Sequence, residues 1–478
     1  MTLQDLIPLL PLLMLSVAIV VVMLVIAFRR HHRLSFTLTF IGLALTLVTL
    51  PFAARALPAP VTPLLIVDGF AVFYIALILI TSLVVVVLSF DYIDKVAGNK
   101  DEYYLLILLA TLGTCTLIVS NHFVSFLLGL EILSMALFTM IAYTRFQRER
   151  VEAAIKYLIL AAAASAFLLF GMALIYLVFG TMQFSQMSPP GTLPLEEQIL
   201  LTIGMSLLIV GIGFKLALVP FHMWVPDVYQ GAPAPVTAFI ATVSKGGVFA
   251  LFLRLFAHLS LDIGSGLWNV IALIAIASML VGNLLALVQN NVKRILAYSS
   301  IAHFGYLLVA FLAGTLFASS SMTFYLVVYI VTSLVAFGVI SVLSHPEREF
   351  EDLQTYRGLF RRRPAYAVFM TLSLLSLASL PPTGGLVGKV LLAAAGVEAS
   401  LWLLLAALVI GSVISVFYYL RVAIAMFRQP EAGDGLPIPA IPRGANLTLT
   451  LLSIVLVVLG IYPTPLIRWI ERVVTSLV

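Results

Sequence analysis

The chain has 478 residues, of which 62% are hydrophobic and 10% are charged, and its formal net charge is +5. Soluble domains are roughly 45 to 50% apolar and about 25% charged, so this composition excludes an ordinary soluble protein and predicts an integral membrane protein. Cys115 is the single cysteine, which excludes a disulfide, an iron–sulfur cluster held by this chain alone and a cysteine-based zinc site.

Apolar runs of about 20 residues predict an all-α integral membrane protein with about fourteen transmembrane helices. The first run has no small-residue cleavage pattern, so we expect it to remain as a helix and not to be removed as a signal peptide. The predicted spans are 6–28, 34–54, 67–90, 103–120, 122–143, 151–179, 197–230, 235–258, 267–288, 293–312, 322–345, 365–398, 400–427 and 447–470.

The lysines and arginines predict how the chain is oriented. Fourteen spans put both termini on one side of the membrane and divide the loops into two sets. One set carries 19 of the 26 basic residues, and the other carries Arg55, Arg254, Arg468 and Arg472. By the positive-inside rule the first set is cytoplasmic, so we expect both termini on the outer side. The net charge therefore indicates orientation and not binding to nucleic acid.

Two predicted spans, 197–230 and 365–398, are too long for straight membrane helices. Each has 34 residues, or about 51 Å at 1.5 Å per residue, whereas the hydrocarbon core is about 30 Å thick. Pro220 lies in the first span, and Pro381 and Pro382 lie in the second. Since proline cannot continue a straight helix, we predict a break in each span.

The two broken helices, numbers 7 and 12, are each the fourth helix in a block of five. The blocks cover 103–258 and 267–427 and predict two five-helix repeats. An odd number of spans inverts the second repeat relative to the first. Residues 1–102 then hold helices 1 to 3, and residues 428–478 hold a C-terminal loop and helix 14.

Three lysines and one carboxylate lie inside the predicted spans and away from the span ends, namely Lys215, Lys245, Lys389 and Glu131. A charge at the centre of a bilayer costs at least ~2.5 to 3.5 kcal/mol, so such residues mark candidate ion pathways. They predict a proton path in which Glu131 and Lys215 form a charge switch, because moving the carboxylate changes the proton affinity of the lysine. Alternatively, Glu131 is a carboxyl that burial keeps neutral, or one that is hydrogen-bonded to a neighbouring helix.

Three further residues are candidates for the same path. His303 lies in an apolar span and could relay protons, although a lone histidine in such a helix can also serve in packing. Lys156 and His222 are weaker candidates, because both lie toward the cytoplasmic end of their spans and could be interfacial anchors. No nucleotide, metal or nucleophile motif is legible, so we expect no redox cofactor on this chain.

Several long segments of the sequence resemble one family of membrane proteins. They are GFKLALVPFHMWVPDVYQGAPAPV, EAAIKYLILAAAASAFLLFGMALIY and NNVKRILAYSSIAHFGYLLVA, together with the helices that contain Glu131 and Lys245. These segments are similar to the antiporter-like membrane subunits of respiratory complex I, the proton-pumping NADH:quinone oxidoreductase. They resemble the subunit N family more than the subunit L and M families, and the similarity covers nearly the whole chain.

The resemblance implies fourteen helices, two inverted five-helix repeats with broken helices 7 and 12, and a hydrated axis of charged residues at mid-membrane. In such subunits the glutamate at the position of Glu131 pairs with the lysine at the position of Lys215. Lys245, His303 and Lys389 continue the axis. The usual G-F-x-G-K around the last lysine reads G-L-V-G-K here, so the phenylalanine is lost while the lysine remains.

The resemblance also implies a function: proton translocation across a bacterial inner membrane, coupled to electron transfer from NADH to quinone. The FMN, iron–sulfur clusters and quinone would lie in partner subunits. The expected partners are a neighbouring antiporter-like subunit, small membrane subunits, peripheral subunits and membrane lipids, with no nucleic acid.

Two other function classes stay open. One is a subunit of a multisubunit sodium/proton antiporter or of a membrane-bound hydrogenase, which share the same core. Sodium-dependent transport with no response to quinone would favour it. The other is a purely structural membrane subunit, against which the cost of burying three lysines and one glutamate argues.

Overall fold

The computed structural model describes residues 6–57, 59–144, 147–187, 193–257, 264–429 and 442–476. These residues form nineteen α-helices, and the predicted helical membrane fold is confirmed. The helices are α1 (Leu10–Phe28), α2 (His32–Ala53), α3 (Gly69–Asp94), α4 (Glu102–Val119), α5 (Phe123–Ile141), α6 (Arg148–Phe179), α7 (Leu195–Leu216), α8 (Trp224–Gly231), α9 (Ala234–Phe239), α10 (Lys245–Ala257), α11 (Gly266–Leu287), α12 (Val292–Ala313), α13 (Leu316–Leu343), α14 (Leu359–Arg362), α15 (Pro364–Leu377), α16 (Gly384–Glu398), α17 (Trp402–Phe427), α18 (Arg443–Ile461) and α19 (Thr464–Val474).

Among the described residues, thirteen helical segments are long and apolar enough to cross a membrane. One of them, Ala234–Ala257, joins α9, a π-helical turn over Ile240–Ser244 and α10. The predicted span 365–398 is divided between α15 and α16, which have 14 and 15 residues. Counted as one broken span, this pair and the thirteen long segments account for the fourteen predicted spans.

The predicted break in span 7 is confirmed. Helix α7 ends at Leu216, and the chain turns before it continues as α8. Ala217 adopts a left-handed conformation with a φ of 65°, and the N–H of Leu218 bonds back to the carbonyl of Gly213 at 2.8 Å. Pro220 lies two residues after Leu218, and its missing N–H prevents the helix from resuming there.

The predicted break in span 12 is also confirmed. Helix α15 ends at Leu377, Ser379 is left-handed with a φ of 59°, and α16 begins at Gly384. A Cβ on Gly385 would lie 1.9 Å from the carbonyl oxygen of Ser376. Only glycine therefore lets the start of α16 approach the end of α15 so closely.

Two elements differ from the predictions. Strands β1 (Ala59–Thr62) and β2 (Leu65–Val67) form a small antiparallel sheet between α2 and α3, which the apolar runs did not predict. The predicted last span, 447–470, was too long. Helix α18 ends at Ile461, and α19 follows Pro463 as a separate helix.

The assignment of Arg254 to a loop was wrong, since Arg254 lies in α10 and is 2% exposed. Its guanidinium donates to both carboxylate oxygens of Asp68, at 2.7 and 2.9 Å, and to the carbonyl of Ile118 at 3.0 Å. Asp68 also accepts a hydrogen bond from the N–H of Ala71 and so caps α3. This ion pair joins residues 186 positions apart, which sequence patterns do not reveal.

The packing centre lies around α10, α12 and α13. The apolar windows of Ala234–Ala257 and α13 are completely buried, and that of α12 is 94% buried. The windows of α1, α2, α6 and α18 are buried for only a third of their residues. The helices that carry Lys245 and His303, α10 and α12, therefore lie in the interior.

We call the membrane side at which α2, α6 and α12 begin the basic side. Arg30, Arg148 and Lys293 lie at these helix ends. The division into 1–102, 103–258, 267–427 and 428–478, and the inverted relation of the two blocks, stay predictions. Residues 430–441, which belong to the last division, lie outside the described residues. So does Arg145, one of the 19 basic residues that the prediction assigns to the cytoplasmic side.

Candidate functional site

Lys215 lies in the last turn of α7 and is 3% exposed. Its ammonium donates hydrogen bonds to the hydroxyl of Ser134 on α5, at 2.6 Å, and to the hydroxyl of Tyr157 on α6, at 3.1 Å. A helix carries partial negative charge at its C-terminal end, which stabilises a nearby cation by about 0.3 to 1 kcal/mol. The break after α7 therefore creates a favourable place for this buried charge.

Glu131 does not contact Lys215 directly. It is half-buried on α5, and its carboxylate accepts a hydrogen bond from Ser165 on α6 at 2.7 Å. The structure contains no ion pair between these two described residues, so the pairing that the resemblance implies is not a direct contact here, and the charge switch stays a prediction. Glu131 still interacts electrostatically with Lys215, and Ser134, which bonds Lys215, lies one turn after it on the same helix. The contact between α5 and Lys215 thus runs through a hydroxyl group.

Lys245 begins α10, directly after the π-helical turn, and is 1% exposed. Its ammonium donates to the hydroxyl of Ser300 on α12 at 2.8 Å. It also lies 4.9 Å from the ring centroid of Phe304 and 5.7 Å from that of Tyr229. π-helical turns occur often at functional sites, and here the turn precedes the lysine that reaches α12.

His303 lies one helical turn after Ser300 on α12 and is 4% exposed. Its Nδ1 is 2.6 Å from the hydroxyl of Tyr325, and its Nε2 is 3.1 Å from the hydroxyl of Tyr419. A neutral imidazole donates through one nitrogen and accepts through the other, so His303 can connect these two tyrosines in either direction. Both ring nitrogens are hydrogen-bonded, which fits a relay and also fits a satisfied packing residue.

Lys389 lies in α16, five residues after the helix begins, and is 6% exposed. Its ammonium lies 4.6 Å from the ring centroid of Tyr306 and has no hydrogen-bond partner among the described residues. The hydroxyl of Tyr306 accepts a hydrogen bond from the amide of Asn283 at 2.8 Å, and Asn283 accepts one from Tyr418 at 2.9 Å. A buried polar network of Tyr306, Asn283 and Tyr418 therefore lies next to this lysine.

Helix α12 joins the two ends of this arrangement. Ser300, His303 and Tyr306 follow one another at intervals of three residues, or about 4.5 Å along the helix. The first bonds Lys245, and the last lies against Lys389. Both lysines also interact electrostatically with His303. One face of α12 thus connects two buried lysines that lie 144 positions apart in the sequence.

The structure separates the two weaker candidates from this arrangement. Lys156 has a side chain that is 45% exposed and forms ion pairs with Glu152 and Asp227, each at 2.9 Å. His222 is buried beside the break in span 7. Within the described residues, neither shows a hydrogen bond or ion pair to a buried lysine. The interpretation of Lys156 as an interfacial anchor fits its exposure.

Sequence reasoning missed several hydrogen-bond partners of the site residues, namely Ser134 and Tyr157 at Lys215 and Tyr325 and Tyr419 at His303. Serine and tyrosine are ordinary residues in membrane helices, so their presence in a span gives no signal. Asn283 is different, because an amide in the apolar run 267–288 needs hydrogen-bond partners when it is buried. The sequence could therefore have predicted that Asn283 belongs to a buried hydrogen-bond network.

A polar cavity of about 600 Å³ opens on the basic side between α6, α8 and the loop after α13. Glu349 lies in its lining and is almost completely buried. Its carboxylate accepts hydrogen bonds from Lys293 and Tyr92, both at 2.5 Å, and from the N–H of Ala234 at 3.0 Å. This one acid therefore links α3, α9 and α12 at the basic side.

Glu351 lines the same cavity. Burial raises the pKa of its carboxyl above the ordinary value, and this effect outweighs the opposing charge of Lys293. A carboxyl with a raised pKa exchanges its proton closer to neutral pH than an exposed one does. The loop after α13 thus places one firmly paired acid and one more readily protonated acid at the same opening.

The chain is similar to known proteins along almost its whole length. The family model for the transmembrane part of NADH:quinone oxidoreductase and Mrp antiporter proteins matches residues 120–415. A relative from Ectopseudomonas mendocina, NADH-quinone oxidoreductase subunit N, is 48% identical over 480 residues, which cover 98% of this chain and 97% of the relative.

Solved structures of related architecture are also similar. A chain in respiratory complex I from Thermus thermophilus with bound aureothin has 33% identity and a TM-score of 0.83, covering 96% of this chain and 98% of that one. A chain of the Mrp complex from a Dietzia species has 22% identity and a TM-score of 0.85, covering 100% and 98%. The latter likeness indicates a shared fold only.

Proposed function

Because this chain belongs to the NADH:quinone oxidoreductase and Mrp antiporter family of membrane proteins, we propose that it is an antiporter-like membrane-arm subunit, of the subunit N type, in a proton-pumping NADH:quinone oxidoreductase. It translocates protons, while NADH oxidation and quinone reduction take place on other subunits. The observation that carries this proposal is the presence of three buried lysines, of which Lys245 and Lys389 both contact the face of α12 that carries Ser300, His303 and Tyr306.

The proposed path runs from Lys215 to Lys389 through the interior of the chain. A proton on Lys245 can pass to the Ser300 side of α12, where His303 and its tyrosines offer the next acceptors. Like charges on neighbouring sites repel each other, so arrival of a proton at one site promotes departure from the next. Glu131 acts on Lys215 from one end of the path and modulates when that lysine holds its proton.

We propose the membrane, the orientation and the partner subunits on the same grounds. The protein spans a bacterial inner membrane with the basic side toward the cytoplasm and both termini on the outer side, because cytoplasmic loops carry the excess of lysine and arginine. FMN, iron–sulfur clusters and quinone belong to partner subunits. The neighbouring partners are another antiporter-like subunit and small membrane subunits.

A sodium/proton antiporter or membrane-bound hydrogenase subunit is the alternative. The shared fold with the Mrp complex is compatible with it. The higher identity to the subunit N relative, along almost the whole of both chains, favours the quinone-linked enzyme. Sodium-dependent transport that does not respond to quinone would support the alternative.

The test measures proton pumping in membrane vesicles that contain the assembled enzyme. We expect Lys215→Ala and Lys245→Ala to reduce NADH-driven, quinone-dependent pumping by ~10-fold or more, because each removes a group that carries the proton. NADH oxidation by an artificial acceptor on the peripheral subunits should stay near the wild-type rate. Lys95→Ala is the matched control, since Lys95 is exposed at the basic-side end of α3.

Glu131→Ala tests the modulating role. Pumping should fall while assembly is largely retained, and the effects of Glu131→Ala and Lys215→Ala should not add in the double variant, because the two groups act on each other. Normal pumping by both single variants at equal abundance of the complex would refute the proposed path.

A further inference from the structure

A second cavity, of about 780 Å³, lies on the basic side at the end of α17, away from the lysine path. The loop that follows α13 and the last turns of α17 form its walls. Arg357, Arg421 and Arg428 line it, against one acid, Asp352. The lining therefore carries an excess of positive charge where α17 leaves the apolar part of the protein.

Arg421 is held in place at this cavity. Its guanidinium donates to the carbonyl of Leu287 at 3.0 Å and to the carbonyl of Gln289, both at the end of α11. Arginine has five N–H donors, so these bonds leave others for an anion. Arg428 differs, because it is exposed and its side chain shows no hydrogen bond or ion pair among the described residues. The cavity thus combines one fixed and one adaptable guanidinium group.

An exposed apolar stripe on α17 leads into the same cavity. It consists of Leu403, Ile410, Val413, Phe417 and Ile424, which are 51 to 74% exposed. Their spacing of seven, three, four and seven residues places them on one helix face. The stretch from Val413 to Ile424 is about 16 Å long, roughly half the hydrocarbon core of about 30 Å and therefore the depth of one leaflet.

We propose that this cavity and stripe bind an anionic phospholipid from the leaflet on the basic side. The phosphodiester lies against Arg421 and Arg428, and an acyl chain follows Phe417 and Val413 along α17. A basic pocket that is continuous with an apolar helix face matches the two parts of such a lipid, and a polar or acidic protein segment would match only the first. A zwitterionic lipid would lose the attraction that the arginine excess provides. The proposal does not depend on the proton path.

The experiment uses the intact complex in mild detergent. A phosphatidylglycerol with a diazirine on its acyl chain is photoactivated, and the labelled peptides are mapped by mass spectrometry. We expect labelling of residues 413–424. Unlabelled phosphatidylglycerol should compete, whereas phosphatidylcholine and inorganic phosphate should not.

Charge variants sharpen the test. Each arginine near a membrane surface contributes about fivefold to anionic lipid binding, so Arg428→Gln should lower the labelling about fivefold. Arg421→Gln should lower it at least as much. If Arg421→Gln fails to assemble because α11 loses its hydrogen-bond partner, the labelling of Arg428→Gln decides the test, since Arg428 is exposed. Arg29→Gln, which removes an exposed arginine at the basic-side end of α1, should have no effect.

Three results would overturn the inference. Equal labelling by a diazirine phosphatidylcholine would show that charge does not select the lipid. Displacement by inorganic phosphate would identify a site for a soluble anion. Labelling of another protein chain with no label on α17 would show that a partner subunit covers the stripe.

Discussion

Gly411 on α17 offers a sharp test of the network beneath Lys389. A Cβ at this position would lie 2.8 Å from the amide nitrogen of Asn283 and 2.9 Å from the hydroxyl oxygen of Tyr306. Those two atoms are partners in one hydrogen bond of 2.8 Å. The variant Gly411→Ala therefore places one methyl group against both ends of that bond.

The expected magnitude follows from the overlap. Ordinary contact begins at 3.4 Å, so both atoms must shift by roughly half an ångström, and a rigid, close-packed interior resists such a shift. Overpacking costs typically ~1 to 3 kcal/mol, and a buried polar group left without its partner costs about 1 to 3 kcal/mol. Since ~1.4 kcal/mol corresponds to a tenfold change in rate, ~1 kcal/mol expressed in proton transfer would slow pumping about fivefold, and half of that cost would slow it about twofold.

The assay compares quinone-dependent proton pumping in vesicles at equal abundance of the complex. Gly411→Ala should pump several-fold more slowly than wild type, while NADH oxidation by an artificial acceptor is unchanged. Gly266→Ala is the control, because a Cβ at Gly266 meets no atom within 4 Å. If Gly411→Ala pumps at the wild-type rate with an intact complex, the Asn283 and Tyr306 network does not support Lys389 and the reasoning is wrong.

Three further predictions concern other parts of the chain. Lys389→Ala should lower pumping ~10-fold or more and leave the artificial-acceptor reaction near normal, and equal pumping by Lys389→Ala and wild type would show that this lysine only packs. Arg254→Met should destabilise the protein by about 3 to 5 kcal/mol, because it leaves the Asp68 carboxylate buried without its partner. Thermal unfolding of the purified complex measures this effect, Arg55→Met is the exposed control, and an unchanged unfolding temperature would contradict it. A reporter that is active only outside the cytoplasm should be active when fused after Val478, since the basic loops are expected in the cytoplasm, and activity of a cytoplasmic reporter there would reverse the orientation.

The sequence alone determined the class of fold, because a membrane span needs a long apolar run whatever its neighbours are. It also located both breaks, since the effect of Pro220, Pro381 and Pro382 on a helix is local. Lys215, Lys245 and Lys389 could be singled out for a similar reason. The cost of burying an ammonium depends on the apolar sequence around it, which is visible without a structure.

The tertiary structure decided which groups contact each lysine. Ser134 and Tyr157 reach Lys215 from two other helices, and Ser300 reaches Lys245 from α12. The resemblance implied that Glu131 pairs with Lys215, but it did not show that the carboxylate accepts its hydrogen bond from Ser165. Contacts of this kind depend on how helices rotate and tilt against one another, and hydrophobic periodicity does not encode them uniquely.

Arg254 shows the same limit in a single residue. It stands near the end of an apolar run, so the sequence suggested a loop, but a carboxylate at Asp68 allows it to be buried within α10. Whether a charge lies in water or in the interior depends on its partner. The partner is brought by the packing of distant helices, so only the tertiary structure could decide it.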